Sequence, residues 1–197
     1  KNIIFIKEMK KKKIGTITNR YRDRNGKPYK ILKMKQISCS ENYFNHHDAE
    51  SVFLEPSKIK PLSTDDVAIF LHGQMLAITI EDCANVVAPS SFAVLTDLDT
   101  NIVDKWFLIY LINKFTSSKV FFDQHSTLGT SMRVMQINAL RNFKIMLPEI
   151  EIQRTIGAYY KRICFKRRYH RELIEHECDL EDNDLAQIVS EILKEEI

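Results

Sequence analysis

Glycine is scarce in this sequence: Gly15, Gly26, Gly73, Gly129 and Gly157 are its full complement. None falls in a GxGxxG or Walker-type pattern, which argues against a phosphate-cradling nucleotide loop. Cysteine is equally sparse. Cys39, Cys83, Cys164 and Cys178 are scattered and form no CxxC pair, so they read as reduced, structural residues. Long apolar runs are missing too. Trp106 to Leu111 is too short to cross a bilayer and gives way to polar Asn113 and Lys114, so no membrane partner is expected. The opening, Lys1-Asn-Ile-Ile-Phe-Ile-Lys7, carries basic residues but no small-residue cleavage site. No secretory signal is therefore expected, and the location reads as cytoplasmic. The chain also begins without Met, as a fragment of a longer chain would.

What is present is an apolar content of 44% over 197 residues. That suffices to bury a core in one ordinary domain with an appended element. Charge is unevenly spread. From Lys1 to Lys35 thirteen Lys or Arg face only Glu8 and Asp23, a net of +11. From Arg171 to Ile197 ten Asp or Glu face only Arg171 and Lys194, a net of −8. Ends so different suit different partners. The basic front suits a polyanion, and nucleic acid is the commonest; a plain solvated surface is the alternative.

Along the chain, the lysines at 10–13 would repel one another in a compact helix, so residues 1–13 are expected to form an arm or a poorly ordered entry. Asp23-Arg-Asn-Gly-Lys-Pro28 predicts a loop and Tyr29–Met34 a short strand. Residues 62–96 read as β structure. The apolar runs Val67–Leu71 and Met75–Ile80 flank His72-Gly73-Gln74, a hairpin signal, and Val86, Val87 and Phe92–Leu95 extend the sheet. Over 101–115 the period changes. Ile102, Trp106 and Ile109 share a helical face with Val103, Phe107 and Tyr110 beside it, Thr100 or Asn101 as cap, and Thr116-Ser-Ser118 as stop. After Val120–Phe122, the polar stretch 123–133 predicts an exposed loop, and Ile137–Met146 a strand ending at Leu147-Pro148.

A long helix is predicted from Glu149, since proline at 148 suits a first turn. Ile152, Ile156, Tyr159 and Ile163 follow the 4-3-4 spacing of a coiled-coil seam, continued imperfectly through Lys166 and His170 to Leu173 and Leu180. Residues 149–178 would span roughly 45 Å. Leu185, Ile188, Val189, Ile192 and Leu193 form a second stripe. Asp182-Asn-Asp184 offers caps between the two, yet no Gly or Pro separates them, so one continuous helix and two both fit.

Several of these pieces resemble a known family. Leu62-Ser-Thr-Asp-Asp-Val-Ala-Ile-Phe-Leu-His-Gly73 is similar to a leu-x-x-gly-asp-ile-leu strand that runs into a glycine turn, with Asp65 where that pattern has Gly. His125-Ser-Thr-Leu-Gly-Thr-Ser-Met132 resembles a polar Gly/Ser loop before a last strand. Leu140–Pro148 followed by Glu149-Ile-Glu-Ile-Gln-Arg-Thr-Ile156 resembles a strand ending in leu-pro and then leu-x-x-gln-x-x-ile opening a long helix. Together, over residues 14–175, they resemble the specificity subunit of type I restriction–modification systems. The resemblance implies an α/β (α+β) fold: a target-recognition domain with a mixed, largely antiparallel sheet at 1–147, then a spacer and dimerisation helix at 148–180. An acidic helical tail at 181–197 completes the chain and does not match the usual basic end of that helix. Full-length subunits carry two such repeats; one is visible here, so the chain reads as a half subunit.

The implied function is sequence-specific DNA recognition that directs partner methyltransferase and nuclease subunits to a bipartite site, without catalysis. No Asn-Pro-Pro-Tyr type methyltransferase motif, no glycine loop for S-adenosylmethionine and no convincing nuclease pattern of acid, then acid-x-Lys, is found in the sequence, so no catalytic residue and no cofactor is expected. His46-His47-Asp48 is a poor cage for a metal because its ligands are adjacent on one stretch. DNA binding needs Lys and Arg for phosphates and side-chain donors and acceptors for base edges. Arg20, Arg22, Arg24, Lys30 and Lys33 fit the first need, with Asn19 and Asn25 among them. Gln74, Gln124, His125, Ser126, Thr130, Ser131 and Arg133 fit the second. Arg154, Lys161, Arg162, Lys166, Arg167 and Arg168 suit a DNA backbone, an acidic partner or solvent. Ile152, Ile156, Tyr159, Ile163 and Leu173 are the expected dimerisation residues, in a homodimer or with another half subunit. The alternatives are the recognition domain of a fused restriction–methylation enzyme and a coiled-coil assembly protein that binds no DNA specifically.

Overall fold

A computed structural model of the chain describes residues 2–5, 12–14, 18–81, 84–128 and 132–195. In chain order the strands are β1 (Asn2–Phe5), β2 (Lys12–Ile14), β3 (Arg22–Ile31), β4 (Ile37–Ser38), β5 (Tyr43–Phe44), β6 (Ser51–Leu54), β7 (Val67–Phe70), β8 (Leu76–Ile78), β9 (Val86–Val87), β10 (Phe92–Leu95), β11 (Ser126–Leu128), β12 (Arg133–Met135) and β13 (Lys144–Leu147). The helices are α1 (Lys105–Lys114), α2 (Thr116–His125), α3 (Ile137–Leu140) and α4 (Ile150–Glu195). Among the described residues no helix is long and apolar enough to cross a membrane.

The central sheet has the order β2-β10-β7-β8 and is antiparallel throughout. Its hairpin pairs Phe70 with Leu76 across a turn in which Gly73 takes a φ of +74°, the left-handed region that glycine enters without steric cost. Both faces of this sheet are covered. Val67, Ile69, Ala93 and Leu95 pack with α1, while Ala68, Ile78, Phe92 and Val94 pack with Leu32, Ile37 and Phe44. Burial on both sides explains why these strands read as unbroken apolar runs rather than alternating ones. A second sheet, β6-β3-β9, closes over a small core of Tyr29, Ile31, Val52, Leu54 and Val87, and its β3–β9 pairing is parallel. The fold is thus mixed α/β with small, largely antiparallel sheets and a long C-terminal helix, as expected.

The exposed edge of β8 is covered by side chains. Asn113 of α1 accepts from the Ala77 amide at 2.7 Å and donates to its carbonyl at 2.8 Å; Asn42 also donates to that carbonyl. Two amides thus stand in for a missing strand, satisfying the edge and fixing α1 and the β4–β5 segment against it.

Several local expectations are corrected. The front of the chain is not a free arm: β1 pairs with β13, and β2 with β10. The turn signal at 23–28 lies inside β3, where the register with β6 shifts between Arg22 and Lys27. Gly26 sits there because a Cβ would stand 2.2 Å from the Leu54 carbonyl oxygen. Val86 and Val87 join β3 rather than extend the central sheet. The first helix starts later than expected and is capped by Asp104, not Thr100 or Asn101; the Phe107 amide donates to Asp104 Oδ1 at 2.8 Å. Thr116 does not end helical structure. Phe115 breaks it with extended backbone, and α2 begins directly after. Of the stretch 123–133, the described residues at 123–128 are the end of that helix and β11, and Arg133 begins β12, while 137–146 holds a helical turn before β13. α4 is one continuous helix of 46 residues, about 69 Å long.

Candidate nucleic-acid interface

The strand β3 carries the first group of cations. Arg20, Arg22 and Arg24 are exposed, on and just before the bulged outer part of the strand. Lys30 and Lys33 are engaged within the domain. Lys30 donates to the His46 carbonyl, and Lys33 pairs with Glu50, which also lies 3.9 Å from Arg22. The Lys33 ammonium, by hydrogen bond and charge, holds the Glu50 carboxyl below its ordinary range. Arg20 and Arg24 make no ion pair with a described residue, whereas Arg22 and Lys33 share one carboxylate. His46 and His47 stack tilted at 4.1 Å beside this group.

The second group assembles from distant sequence. The Gly73 amide donates to the Arg133 carbonyl at 2.6 Å, and the Met135 amide donates to the Leu71 carbonyl at 2.9 Å. These bonds dock the hairpin turn onto the β11–β12 ribbon. Exposed Gln74 is thereby placed beside the strand that bears exposed Arg133. Arg133 reaches Asp123 at 3.3 Å, which ties the ribbon to the last turn of α2, where exposed Gln124 and His125 sit. The His125 ring stacks on Phe121 at 4.1 Å. Ser126 begins the ribbon, half-buried. Thr130 and Ser131 lie outside the described residues. Leu128, near the ribbon's end, is 84% exposed, a feature the sequence reading passed over because one leucine in a polar stretch carries no pattern. Gln74, Gln124, His125 and Arg133 thus come together, while the β3 cations belong to a different sheet.

The root of α4 is locked to the domain by residues that periodicity alone did not single out. Gln153 is 1% exposed. Its oxygen accepts from the Asp104 amide at 3.1 Å, and its nitrogen donates to the carbonyls of Ile102 and Pro148 at 3.0 and 2.8 Å. Gly157 lets α4 touch the start of α1, since a Cβ would stand 2.1 Å from Asp104 Oδ1. Tyr160 and Cys164 are buried on the same face. Burial pushes the Tyr160 phenol up to about 12 and the Cys164 thiol upward as well.

Much of the basic stretch 154–170 is spent on this docking. Glu81 receives Lys161 and Lys105, both at 2.9 Å, and the Trp106 indole at 3.2 Å. Its burial would raise the carboxyl, but the two ammonium hydrogen bonds outweigh burial and hold it below its ordinary range. Arg167 donates to the Ser40 carbonyl, Arg168 lies 3.9 Å over the Tyr43 ring, and Arg171 straddles buried Glu41 at 3.0 and 3.1 Å. Arg162 and Lys166 are exposed and make no ion pair or hydrogen bond with a described residue.

The expected seam points elsewhere. Ile152, Tyr159, Ile163 and Leu173 are exposed, with Tyr159 at 64%, while Ile156 is half-buried against the domain core. From Glu172 to Ser190 every residue is exposed. A helix therefore leaves the domain with one face bound and an apolar stripe on another left bare.

No family model matches the chain, and no curated protein matches it by sequence. Solved structures do. One is an S subunit of a type I restriction–modification system from M. genitalium, 15% identical with a TM-score of 0.52, covering 80% of this chain and 37% of that one. Another is the HsdS subunit from Thermoanaerobacter tengcongensis, 17% identical with a TM-score of 0.58, covering 87% and 44%. A third comes from a study of complex assembly and conformational transition in the type I system, 15% identical with a TM-score of 0.61 and the same coverage as the second. The chain has the fold of a type I restriction–modification S subunit. It spans less than half the length of the solved chains it matches. Within that S-subunit fold, the motif of Leu147-Pro148 followed by Gln153 has a physical content. Proline leaves a carbonyl at the helix mouth, and Gln153 binds it together with two groups at the start of α1.

Proposed function

We propose that this chain is a non-catalytic, target-recognition half of a type I specificity subunit. Its domain reads a short sequence in double-stranded DNA, and its helix sets the distance to a second reader. The observation that carries this reading is α4: in an S-subunit fold, a helix docked firmly at its root projects from the domain with a bare apolar stripe. On this reading the Gln74, Gln124, His125 and Arg133 cluster supplies base-edge contacts, with Thr130 and Ser131 from the same ribbon. Arg20, Arg22 and Arg24 supply phosphate contacts, with Lys30 and Lys33 behind them. Ile152, Tyr159, Ile163 and Leu173 face a second helix, as a homodimer or with another half subunit, while Ile156 of the same expected seam packs on the domain core. A twofold arrangement then reads a bipartite site separated by unread base pairs. Methyltransferase subunits, in the cytoplasm, supply chemistry and cofactor.

The test is duplex binding by the full chain, alone and with a methyltransferase subunit, across a salt series. Affinity should fall steeply with salt, as phosphate neutralisation requires. Replacing Arg20, Arg22 and Arg133 together by Ala should weaken binding about tenfold to a hundredfold and flatten the salt slope, without changing self-association. The bare stripe alone would equally serve an assembly protein. Unchanged DNA binding in the triple variant favours that second reading, and absence of any DNA preference at low salt, with or without the methyltransferase subunit, removes the first.

A further inference from the structure

Leu128 is 84% exposed, more than any other large apolar side chain among the described residues; Met146, Tyr159 and Tyr169 come next at 64%. It ends β11, whose register with β12 sets Ser126 opposite Met135, Thr127 opposite Val134 and Leu128 opposite Arg133. Side chains alternate along a strand, so Leu128 and Arg133 share one face of the ribbon and Thr127 and Val134 the other. Buried Met135 anchors the first face in the core, and Leu128 and Arg133 stand at its outer end. Directly opposed residues hold their Cβ atoms about 5 Å apart. An aliphatic group and a guanidinium are therefore presented side by side.

The presentation is rigid. The ribbon is docked through the Gly73 amide to the Arg133 carbonyl and the Met135 amide to the Leu71 carbonyl. Arg133 Nη1 donates to the carbonyl and the carboxylate of Asp123 at 3.4 and 3.3 Å, which aims the fork while Nε and Nη2 make no hydrogen bond with a described residue. Leu128 packs no core, and the exposed side chains around it, Gln74, Gln124, His125 and Arg133, are all polar. To that cluster it adds one capability, contact with an apolar group. Among the base edges of duplex DNA the apolar group on offer is the C5 methyl of thymine, in the major groove. That groove is about 12 Å wide and admits a two-stranded ribbon. Base pairs rise about 3.4 Å each, so two side chains about 5 Å apart reach neighbouring pairs.

We propose that Leu128 is a specificity-determining residue that reads the C5 methyl of a thymine, beside a guanine read by the Arg133 fork. This assignment presupposes the DNA-recognition reading above and adds to it a residue, a groove and a base step. An apolar side chain can instead act as a wedge between bases from the minor groove. The Arg133 fork and the amides of Gln74 and Gln124 favour the major groove, where guanine and adenine present the edges that such groups bind in pairs.

The experiment enriches duplexes bound by the full chain from a random pool. Affinity is then measured for the enriched site with each thymine in turn replaced by deoxyuridine, which lacks only the methyl. At one thymine, adjacent to a guanine, binding should weaken about fourfold, the worth of one buried methyl. Leu128→Ala should lose that distinction and Leu128→Met should keep it. Arg133→Ala should relax the preference for the adjacent guanine about tenfold. Leu128 is exposed, so its variants should keep the wild-type unfolding midpoint. If the enriched site lacks thymine, if every thymine tolerates deoxyuridine, or if Leu128→Ala still discriminates, the proposal is overturned while sequence-specific binding stands. Weaker binding by Leu128→Ala with no response to deoxyuridine identifies a wedge and overturns it as well. If no sequence is enriched, the DNA-recognition reading itself falls and takes this assignment with it.

Discussion

The two halves of α4 share one backbone and differ in what holds them. From Gln153 to Arg171 the helix touches the domain at every turn, through Gln153, Gly157, Tyr160, Cys164, Arg168 and Arg171. From Glu172 to Ser190 every residue is exposed. Isolated helices of that length are marginal in water, because nucleation costs more than a few turns return. Here the root supplies the nucleus and the tip propagates from it, helped by pairs such as Arg171–Glu175 at 2.8 Å. The contrast teaches that helix identity along α4 is continuous but its stability is not: the root belongs to the domain's cooperative unit, and the tip depends on its own propensity or on a partner.

The contrast breaks most directly at Gln153. Gln153→Ala leaves the Asp104 amide and the carbonyls of Ile102 and Pro148 buried without their partner. Chemical denaturation should show a loss of about 3 kcal/mol in the domain, since each orphaned group keeps its desolvation cost. Gly157→Ala should cost about 2 kcal/mol, because the new methyl displaces Asp104 from its cap and pushes α4 off α1. If either change left the unfolding midpoint in place, the root would not be part of the domain's cooperative unit.

Next in size is the response to pH, which the root should show and the tip should not. Glu81 titrates below its ordinary range in the folded chain, so its contribution is present at neutral pH and is lost as pH falls through that lowered value. At the other limit the Tyr160 phenol is raised from 10.0 to about 12. A raised group stabilises fully below its unfolded value and loses that contribution as pH climbs through its folded one, so the root should loosen between about 10 and 12. Glu81→Gln should remove the acid limb of the stability profile at a cost of about 1 kcal/mol at neutral pH, discounted for its partial exposure. An unchanged acid limb in that variant would mean that another carboxylate sets it.

How much of this was legible beforehand depends on the range of the interaction that decides each element. The β7–β8 hairpin was legible because its turn chemistry, centred on Gly73, sits between the runs it joins. α1 and α4 were legible because 3.6-residue periodicity is written locally. The helix α2 was not, since only Ser118 and Phe122 of its residues are buried and Phe115 interrupts the pattern. β3 was half missed because its bulge uses the same Asn-Gly-Lys-Pro residues as a turn. Gln153 was legible only as part of the leu-x-x-gln-x-x-ile motif, without its role, and Gly157 carried no local signal, as both answer to Asp104, which lies some fifty residues earlier. The candidate site shows the same limit. Gln74 and Arg133 were picked as polar loop residues, but only the bond from Gly73 to Arg133, across the whole of α1 and α2, makes them neighbours.

The smallest expected effect sharpens the contrast from the tip side. Ala186 is exposed in the projecting half of α4. Ala186→Gly should cost the helix about 1 kcal/mol locally, because glycine loses more backbone freedom on ordering. In a tip coupled to nothing, that cost appears as roughly fivefold faster amide exchange around residues 180–190, with the domain's unfolding midpoint unmoved. The same substitution read at rising protein concentration separates propensity from pairing. If tips pack against the helices of other copies, protection in the wild-type tip rises with concentration and the glycine penalty passes into the dimer's dissociation constant. A tip whose exchange is fast and independent of concentration stands alone. A tip whose loosening moves the domain's own midpoint in dilute solution would mean that root and tip are one cooperative unit after all.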